Sequence, residues 1–188
     1  MNIKIIMAGV AAAALCVATT DILPPAIKNS TRSAFFPGYQ SSDIDLLHPT
    51  MRAKVERILA RLEAQGYHPR VHSTFRSQEY QSFIYTLSTV QKKVTGQIGM
   101  TTTTHSCHSK NLQNGEPAAR AVDIRQGVSG PHLYLPTELF RKRHAEFYKA
   151  LGKEAKREGL SWGGDFSKTG IWAEFDLGWD PGHISWRC

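Results

Sequence analysis

A helical period followed at once by a strand period constrains the fold of this chain more than any other feature. Between residues 50 and 65, apolar side chains recur at the spacing of one helix face, at Met51, Val55, Ile58, Leu59 and Leu62. Thr50 can cap the start of this helix, and Gly66 suits the position just beyond its end. Residues 70–75 alternate as in a strand, with Val71, Ser73 and Phe75 on one face. The order predicts a helix that leads into a strand.

The middle of the chain shows the same two periods. Ser77 is placed to cap a second helix, whose apolar stripe is Tyr80, Phe83, Ile84 and Leu87. Residues 94–118 are rich in Gly, Thr, Ser and Asn and predict a long loop, a kind of segment that often carries function. Residues 119–124 then read ARAVDI, which predicts a short strand.

A third helix is predicted from Thr137, its cap, to Gly159 at its end. Its apolar face comprises Phe140, Phe147, Tyr148 and Leu151. Its other face carries Arg141, Lys142, Arg143, Lys149, Lys153, Lys156 and Arg157. This basic face is either a solvated surface or a docking surface for an anionic polymer. The chain closes with a Gly163-Gly164 turn and the strand-like HISW, so helices and strands in blocks predict an α+β fold in a single compact domain.

The N-terminal segment is typical of a secretory signal peptide. Lys4 precedes the uncharged run from Ile5 to Ala18, which is short for a membrane span and suits a signal-peptide core. We predict a signal peptide at residues 1–18, a linker or N-terminal arm at 19–42 and the folded domain at 43–188. The protein is then exported to the periplasm, the cell wall or the extracellular space, with no membrane span after cleavage. A lipoprotein signal at Cys16 is the weaker alternative.

The chain is basic, with a formal net charge of +7 and a pI of about 9.5. Such a charge favours polyanions without choosing among nucleic acid, anionic lipid and cell-wall polymer. Because export separates the protein from DNA, we expect electrostatic contact with an anionic cell-wall polymer and no nucleic acid.

Three short stretches carry residues that can hold a hydrolytic metal ion: SCH at 106–108, AVDI around Asp123, and DPGH from Asp180 to His183. A hydrolytic zinc site needs three protein ligands, an open position for water and a carboxylate that can take the water's proton. Asp123 lies between two apolar residues of a predicted strand, where a buried carboxylate needs a partner. Each stretch alone is a weak signal, because single histidines are common on surfaces and one strand face can lie in solvent.

In their order along the chain, FRSQEYQSFIY, SCH, AVDI, WGGDF and DPGH resemble the zinc D-alanyl-D-alanine carboxypeptidases and L-alanyl-D-glutamate endopeptidases. These enzymes cut peptidoglycan stem peptides, and they include phage endolysins. The resemblance covers about residues 45–187. It implies a small antiparallel sheet with helices packed on it, of the Hedgehog/D-Ala-D-Ala peptidase type, with one Zn²⁺ per chain and a peptidoglycan peptide as substrate. We expect a monomer.

The resemblance also implies a role for particular residues. Three match the family's zinc ligands, namely His108, Asp123 and His183. Asp180 matches the catalytic base, and Ser106 belongs to the motif of the first ligand and is expected to contact substrate. Arg76 matches an arginine that contacts the substrate carbonyl or the developing oxyanion, for which a permanent planar cation is suited.

The interval between the first two ligands departs from the family. His108 and Asp123 are 15 residues apart, with SKNLQNGEPAARAV between them, whereas the family has a much shorter interval. An inserted surface loop accounts for the difference, since loops lengthen at little entropic cost. The insertion leaves His105 open as an alternative first ligand.

The identity of the base bears on specificity within the family. Its endopeptidases often have Asp at the position of Asp180, whereas its carboxypeptidases tend to have Glu. We therefore expect an L-Ala-D-Glu type endopeptidase. The alternatives are a D-Ala-D-Ala carboxypeptidase and a cell-wall-binding module without catalysis.

Cys107 and Cys188 are the two cysteines outside the predicted signal peptide, and an isolated pair in an oxidising compartment is a candidate disulfide. Cys107 adjoins His108, and Cys188 follows His183 closely, so two ligands of one zinc ion would bring the cysteines within bonding range. Two free thiols are the alternative.

Overall fold

The computed structural model describes residues 38–96, 101–127 and 137–188. Its helices and strands are, in chain order, α1 (Pro49–Ala64), β1 (Pro69–Ser73), α2 (Gln78–Thr95), β2 (Ala121–Gln126), α3 (Thr137–Arg157), β3 (Ser161–Trp162) and β4 (His183–Ser185). The predicted signal peptide lies outside the described residues. Of the predicted arm, only residues 38–42 are described.

One antiparallel sheet carries the fold, with its strands in the order β1-β2-β4-β3. Helices α1 and α3 supply most of the core that packs with β2 and β4. This core includes Met51, Val55, Ile58, Leu62, Val122, Ile124, Phe147, Leu151 and Ile184. The predicted α+β class, with a small antiparallel sheet and packed helices, is confirmed.

Helix α1 begins one residue before its predicted start and has a different cap. His48 is the N-cap, and its Nδ1 accepts a hydrogen bond of 3.2 Å from the backbone N–H of Thr50. Pro49 follows at the first helical position, where its missing N–H costs nothing. The prediction that Thr50 caps the helix is therefore wrong. Gly66 has the positive φ, 84°, expected just after a helix end.

Helix α2 starts as predicted but runs further. The Ser77 hydroxyl accepts a hydrogen bond from the N–H of Tyr80, and Gly96, with φ of 72°, ends the helix. The loop predicted for residues 94–118 therefore starts too early, since Val94 and Thr95 belong to α2. Thr95 and Gly96 resemble the Thr- and Gly-rich residues that follow them. The side chain of Thr137, predicted to cap α3, lies outside the described part. Within that part, no helix is long and apolar enough to cross a membrane.

The inserted residues between the first two predicted ligands form a small hairpin. The N–H of Ala118 donates to the carbonyl of Lys110 at 2.8 Å, and Asn111 forms a bridge with Pro117. Gly115, with φ of 87°, lies at the turn. The insertion thus leaves the domain and returns at nearly one point, so it does not separate the segments on either side of it.

A group of charged residues joins α1 to α3, and we call it the helix-pair cluster: Arg57, Arg61, Glu154 and Glu158. Arg61 is paired with Glu154 at 2.7 Å and with Glu158 at 2.6 Å, while Arg57 is paired with Glu158 at 2.7 Å. Hydrogen bonds from Arg57 and Arg61 outweigh the effect of burial and lower the pKa of Glu158 to about 2. Every carboxylate in this cluster has a guanidinium partner.

Candidate metal centre

The three predicted ligands meet on one face of the sheet, and we call them the metal cluster: His108, Asp123 and His183. Asp123 and His183 are direct partners in the β2–β4 ladder, so their side chains lie on the same face. His108 comes from a 3-10 turn, Cys107–Ser109. Asp123 Oδ1 lies 3.0 Å from His183 Nδ1 and 3.2 Å from His108 Nε2, and the two ring nitrogens are 3.4 Å apart.

The hydrogen bond of His108 fixes which of its nitrogens carries a proton. His108 is 1% exposed, and its Nδ1 lies 2.6 Å from the carbonyl oxygen of Thr74. Because a carbonyl only accepts, the proton is on Nδ1. Burial lowers the pKa of His108, so the ring is neutral and Nε2 presents a lone pair to Asp123 Oδ1. Two acceptors that face each other at this distance favour a cation between them.

The other two members of the cluster have opposite pKa shifts. Burial alone would raise the pKa of Asp123, but at the low pH where a carboxyl titrates, the protonated forms of His108 and His183 outweigh burial and hold its pKa well below the usual range. Burial alone would lower the pKa of His183, and the hydrogen bond with Asp123 raises it above its usual value instead. Asp123 is therefore ionised and offers a full negative charge to a bound cation.

The geometry of the cluster fits a tetrahedral zinc ion. For bonds of about 2.0–2.1 Å, neighbouring ligand atoms of a tetrahedron are about 3.3 Å apart. The three measured separations, 3.0, 3.2 and 3.4 Å, lie around that value. Two imidazoles and one carboxylate are also a ligand set that zinc hydrolases use, with the fourth position left open. The cluster can therefore hold a metal ion, as the sequence predicted.

Arg76 contacts the metal cluster from the side of β1. One terminal nitrogen, Nη2, donates to Asp123 Oδ2 at 2.5 Å, and Nε donates to Ser73 Oγ at 3.2 Å. The backbone N–H of Arg76 donates to the carbonyl of His108 at 3.0 Å. Arg76 thus orients two members of the cluster. Its Nη1 forms no hydrogen bond or ion pair with any of the described residues and can donate to another acceptor.

Asp180 lies beside the cluster without belonging to it. Its carbonyl accepts a hydrogen bond of 3.1 Å from the N–H of His183, so both residues lie in one turn. Burial, and then the negative charge of Asp123, raise the pKa of the Asp180 carboxyl. Its carboxylate forms no hydrogen bond or ion pair with any residue the structure describes. A half-buried, unpaired carboxyl with a raised pKa is suited to accept a proton near neutral pH.

The WGGDF motif packs directly against this turn. A Cβ on Gly163 would lie only 2.1 Å from the carbonyl oxygen of Asp180 and 3.1 Å from the Cβ of His183. Glycine is therefore required at position 163 for the close approach of the two backbones. The motif itself contributes no residue to the metal cluster.

Two further predicted residues have clear positions. The Ser106 hydroxyl accepts a hydrogen bond of 3.2 Å from the N–H of His108 and so caps the turn that carries this ligand. His105, the alternative first ligand, is exposed and its Nδ1 contacts Thr104 instead. The cluster is thus formed with His108 and not with His105.

Cys107 and Cys188 are paired in the structure, with Cα atoms 5.9 Å apart and a sequence separation of 81. That Cα separation lies within the range a disulfide permits. Backbone hydrogen bonds support the same approach, since Arg120 donates to the carbonyl of Cys107 and Trp186 donates to that of Arg120, each at 2.8 Å. The pair ties the turn that carries His108 to the residues that follow β4.

Sequence reasoning missed the parts of the site that act through the backbone or through shape. The carbonyl of Thr74, which fixes the proton on His108, has no side-chain signature. The contact of Arg76 with Asp123 depends on where the chain runs between β1 and α2 relative to β2, which a motif does not reveal. Phe166 enters the sequence analysis only as the last letter of WGGDF, and Trp179, beside Asp180, does not enter it.

Comparison with known proteins gives limited information. A scan against protein-family models and a search of the curated proteins found no match. Among solved structures, the chain is similar to the LdcB LD-carboxypeptidase, with 15% identity and a TM-score of 0.45. That structure is described as revealing the molecular basis of peptidoglycan recognition. The match covers 74% of this chain and 58% of that chain. At this level of similarity, the assignment of function has to rest on this chain's own residues.

Proposed function

We propose that the protein is an exported, zinc-dependent peptidase that cleaves peptidoglycan stem peptides. The observation that carries the proposal is the meeting of His108 Nε2, Asp123 Oδ1 and His183 Nδ1 within 3.0–3.4 Å of one another. These atoms come from three separate segments of the sequence, SCH, AVDI and DPGH, whose order resembles that of a peptidase family. One zinc ion per chain is the proposed cofactor, held by these three residues.

When bound, zinc supplies a Lewis acid that polarises a carbonyl and lowers the pKa of water to about 7. The chain's own residues supply the rest of the chemistry. The Asp180 carboxylate accepts the proton of the attacking water and passes it to the leaving amine. The raised pKa of this carboxyl, caused first by burial, makes it a stronger base than an ordinary aspartate and so favours the first of these transfers.

Arg76 serves the reaction in two ways. Through Nη2 it keeps Asp123 oriented as a ligand. Through Nη1, which has no partner among the described residues, it binds the substrate carbonyl and stabilises the negative charge that grows on its oxygen. Ser106 is a second substrate contact, because a hydroxyl that accepts from the N–H of His108 still has its own proton to donate.

We propose an L-Ala-D-Glu endopeptidase as the specific activity, because an aspartate stands at the position of the base. A D-Ala-D-Ala carboxypeptidase is the second candidate. The separate proposal of a wall-binding module without catalysis is disfavoured by an unpaired Asp180 beside a complete ligand set, since binding alone needs neither. We further propose that the protein acts as a monomer and that Cys107 and Cys188 are oxidised after export.

We propose that the contact with an anionic wall polymer is made by lysines beside α3. A groove of about 520 Å³ beside α3 is lined by four lysines, Lys149, Lys153, Lys156 and Lys168. Lys156 and Lys168 are paired with Asp165 and Asp176. Lys149 and Lys153 form no ion pair with any described residue, so their charge is available to phosphate groups.

Digestion of purified sacculi tests the main proposal. The purified protein should contain about one zinc per chain, and it should release fragments whose new termini, identified by mass spectrometry, are L-Ala carboxyl and D-Glu amine. A chelator should stop the release and added zinc should restore it. Release of free D-Ala would favour the carboxypeptidase, whereas bound zinc without new termini of either kind would refute the peptidase function.

A further inference from the structure

Two aromatic side chains, Phe166 and Trp179, lie together beside the metal cluster. Their ring centroids are 5.7 Å apart, and the ring of Phe166 lies 6.1 Å from that of His183. Phe166 is 37% exposed, and neither it nor Trp179 belongs to the hydrophobic core of the described residues. An apolar pair is thus present at the surface next to a buried polar cluster.

Backbone contacts position this pair. The N–H of Trp179 donates to the carbonyl of Ser167 at 3.2 Å, so the residue before Asp180 lies beside the residue that follows the WGGDF motif. A Cβ on Gly178 would lie 2.4 Å from the carbonyl oxygen of Gly163 and 2.8 Å from the nitrogen of Phe166. Because glycine permits this approach, the two aromatic residues are brought together next to the turn of Asp180 and His183.

A core function does not account for the exposure of Phe166. A phenylalanine gains most of its stabilising effect when it is fully removed from water, and this ring is not. Other aromatic residues of the same region, Trp172 and Phe175, do pack against the core. Ligand clefts, in contrast, are lined mainly by apolar and aromatic side chains around a few polar groups. The position beside His183 fits this second case.

We infer that Phe166 and Trp179 form an apolar wall of the substrate cleft, which takes the methyl group of an alanine on the acyl side of the scissile bond. The inference rests on the proposed peptidase function. Both candidate bonds, L-Ala-D-Glu and D-Ala-D-Ala, have alanine on that side, so a methyl group is present there whichever of them is cleaved. A methyl group is the only side-chain feature there that a protein can recognise, and an apolar wall is the surface that recognises it.

A pair of synthetic peptides tests this role. The first peptide contains whichever candidate bond the wild type cleaves, and the second has glycine in place of the acyl-side alanine. One methyl group in an apolar site changes kcat/KM by about 10-fold or more, so the wild type should prefer alanine by about that factor. Phe166→Ala should reduce the preference to less than about 3-fold, with the larger change in KM, and Phe166→Leu should keep most of it.

Zinc content and a control variant separate this role from a structural one. Ile171→Ala removes a side chain that is 64% exposed and should leave the preference unchanged. Phe166→Ala should bind as much zinc as the wild type. An unchanged alanine preference in Phe166→Ala, or an equal loss in Ile171→Ala, would overturn the inference while leaving the peptidase function standing. Failure of the wild type to cleave either bond would refute the peptidase function itself.

Discussion

The helix-pair cluster and the metal cluster both contain carboxylates that are largely removed from water, but their charges are balanced differently. Between α1 and α3, each glutamate accepts from an arginine that is at most 3 Å away, as for Arg61 with Glu154 at 2.7 Å. On the sheet, the lone pair of His108 Nε2 faces the carboxylate of Asp123, and Asp180 has no described partner. The first arrangement is satisfied by the protein alone, whereas the second is not.

This difference separates a structural cluster from a site for a ligand. Buried polar groups in proteins are paired, and acceptors that point at one another carry a cost that a bound cation removes. The helix-pair cluster pairs two arginines with two glutamates, whereas the metal cluster brings two histidines and a carboxylate to one point. Charge balance, more than burial, is the property that points to function.

Removal of a ligand should have the largest effect. His183→Ala leaves two of the three protein ligands, so we expect zinc to fall from about one per chain to a trace and hydrolysis to fall below detection. His144→Ala is a matched control, because His144 is a partly buried histidine whose Nδ1 contacts the carbonyl of Phe140, away from the cluster. Metal analysis and peptide assays measure both. A His183→Ala variant that kept its zinc would show that the cluster is not the metal site.

Removal of the base should separate chemistry from metal binding. Asp180→Asn keeps the size of the side chain but not its proton acceptor, so we expect normal zinc content and a kcat lower by about 10²–10⁴-fold. Asp165→Asn, in the neighbouring WGGDF segment, removes a carboxylate that is paired with Lys156 and should leave kcat unchanged. If Asp180→Asn kept the wild-type kcat, another group would have to be the base.

The sequence predicted the members of the metal cluster better than their surroundings. His108, Asp123 and His183 were found because ligand chemistry restricts residue types and because the motifs come in a set order. The insertion before Asp123 does not move the two ligands apart, because its ends are held together by the hydrogen bond between Ala118 and Lys110. The prediction of both ligands therefore holds in spite of the unusual interval. Apolar periodicity in the same way predicted α1 and α3, whose stripes, apart from Phe140 at the start of α3, pack in or against the core.

Features that depend on three-dimensional neighbours were missed. His48 is a poor N-cap by statistics, and its capping of α1 follows from the orientation of one ring toward the N–H of Thr50. The Thr74 carbonyl could not be singled out, because every residue has one. The exposed position of Phe166 could not be predicted either, since an aromatic residue between polar neighbours suits a core as well as a cleft.

Replacement of Arg76 should have an intermediate effect. Arg76→Lys keeps a positive charge but loses the planar group that contacts Asp123 and Ser73 together. We expect kcat/KM to fall by about 10–100-fold and zinc to bind more weakly, while saturating zinc still fills the site. Zinc titration and peptide kinetics on one preparation would measure the two effects. Wild-type values for both would assign Arg76 no part in the site.

The smallest effect on the metal site should come from the helix-pair cluster, where the pH dependence of stability is the informative measurement. The folded-state pKa of Glu158, about 2, lies below its ordinary value of 4.5. Its contribution is therefore fully present above about pH 4.5 and is lost as the pH falls toward 2. Glu158→Gln should lower the free energy of unfolding by about 1–3 kcal/mol at pH 7, as for hydrogen bonds to charged groups, with unchanged zinc content.

The difference in unfolding free energy between the wild type and Glu158→Gln should then shrink below pH 4.5, because the carboxyl of the unfolded wild type becomes protonated there and folding must remove that proton. Glu63→Gln is the matched control, since it makes the same change of charge on α1 at an exposed glutamate without an ion pair among the described residues. It should shift stability by less than about 0.5 kcal/mol at every pH. Urea unfolding followed by circular dichroism measures both variants. Loss of zinc from Glu158→Gln at pH 7 would contradict the division between the two clusters, because it would show that the helix pair supports the metal site directly.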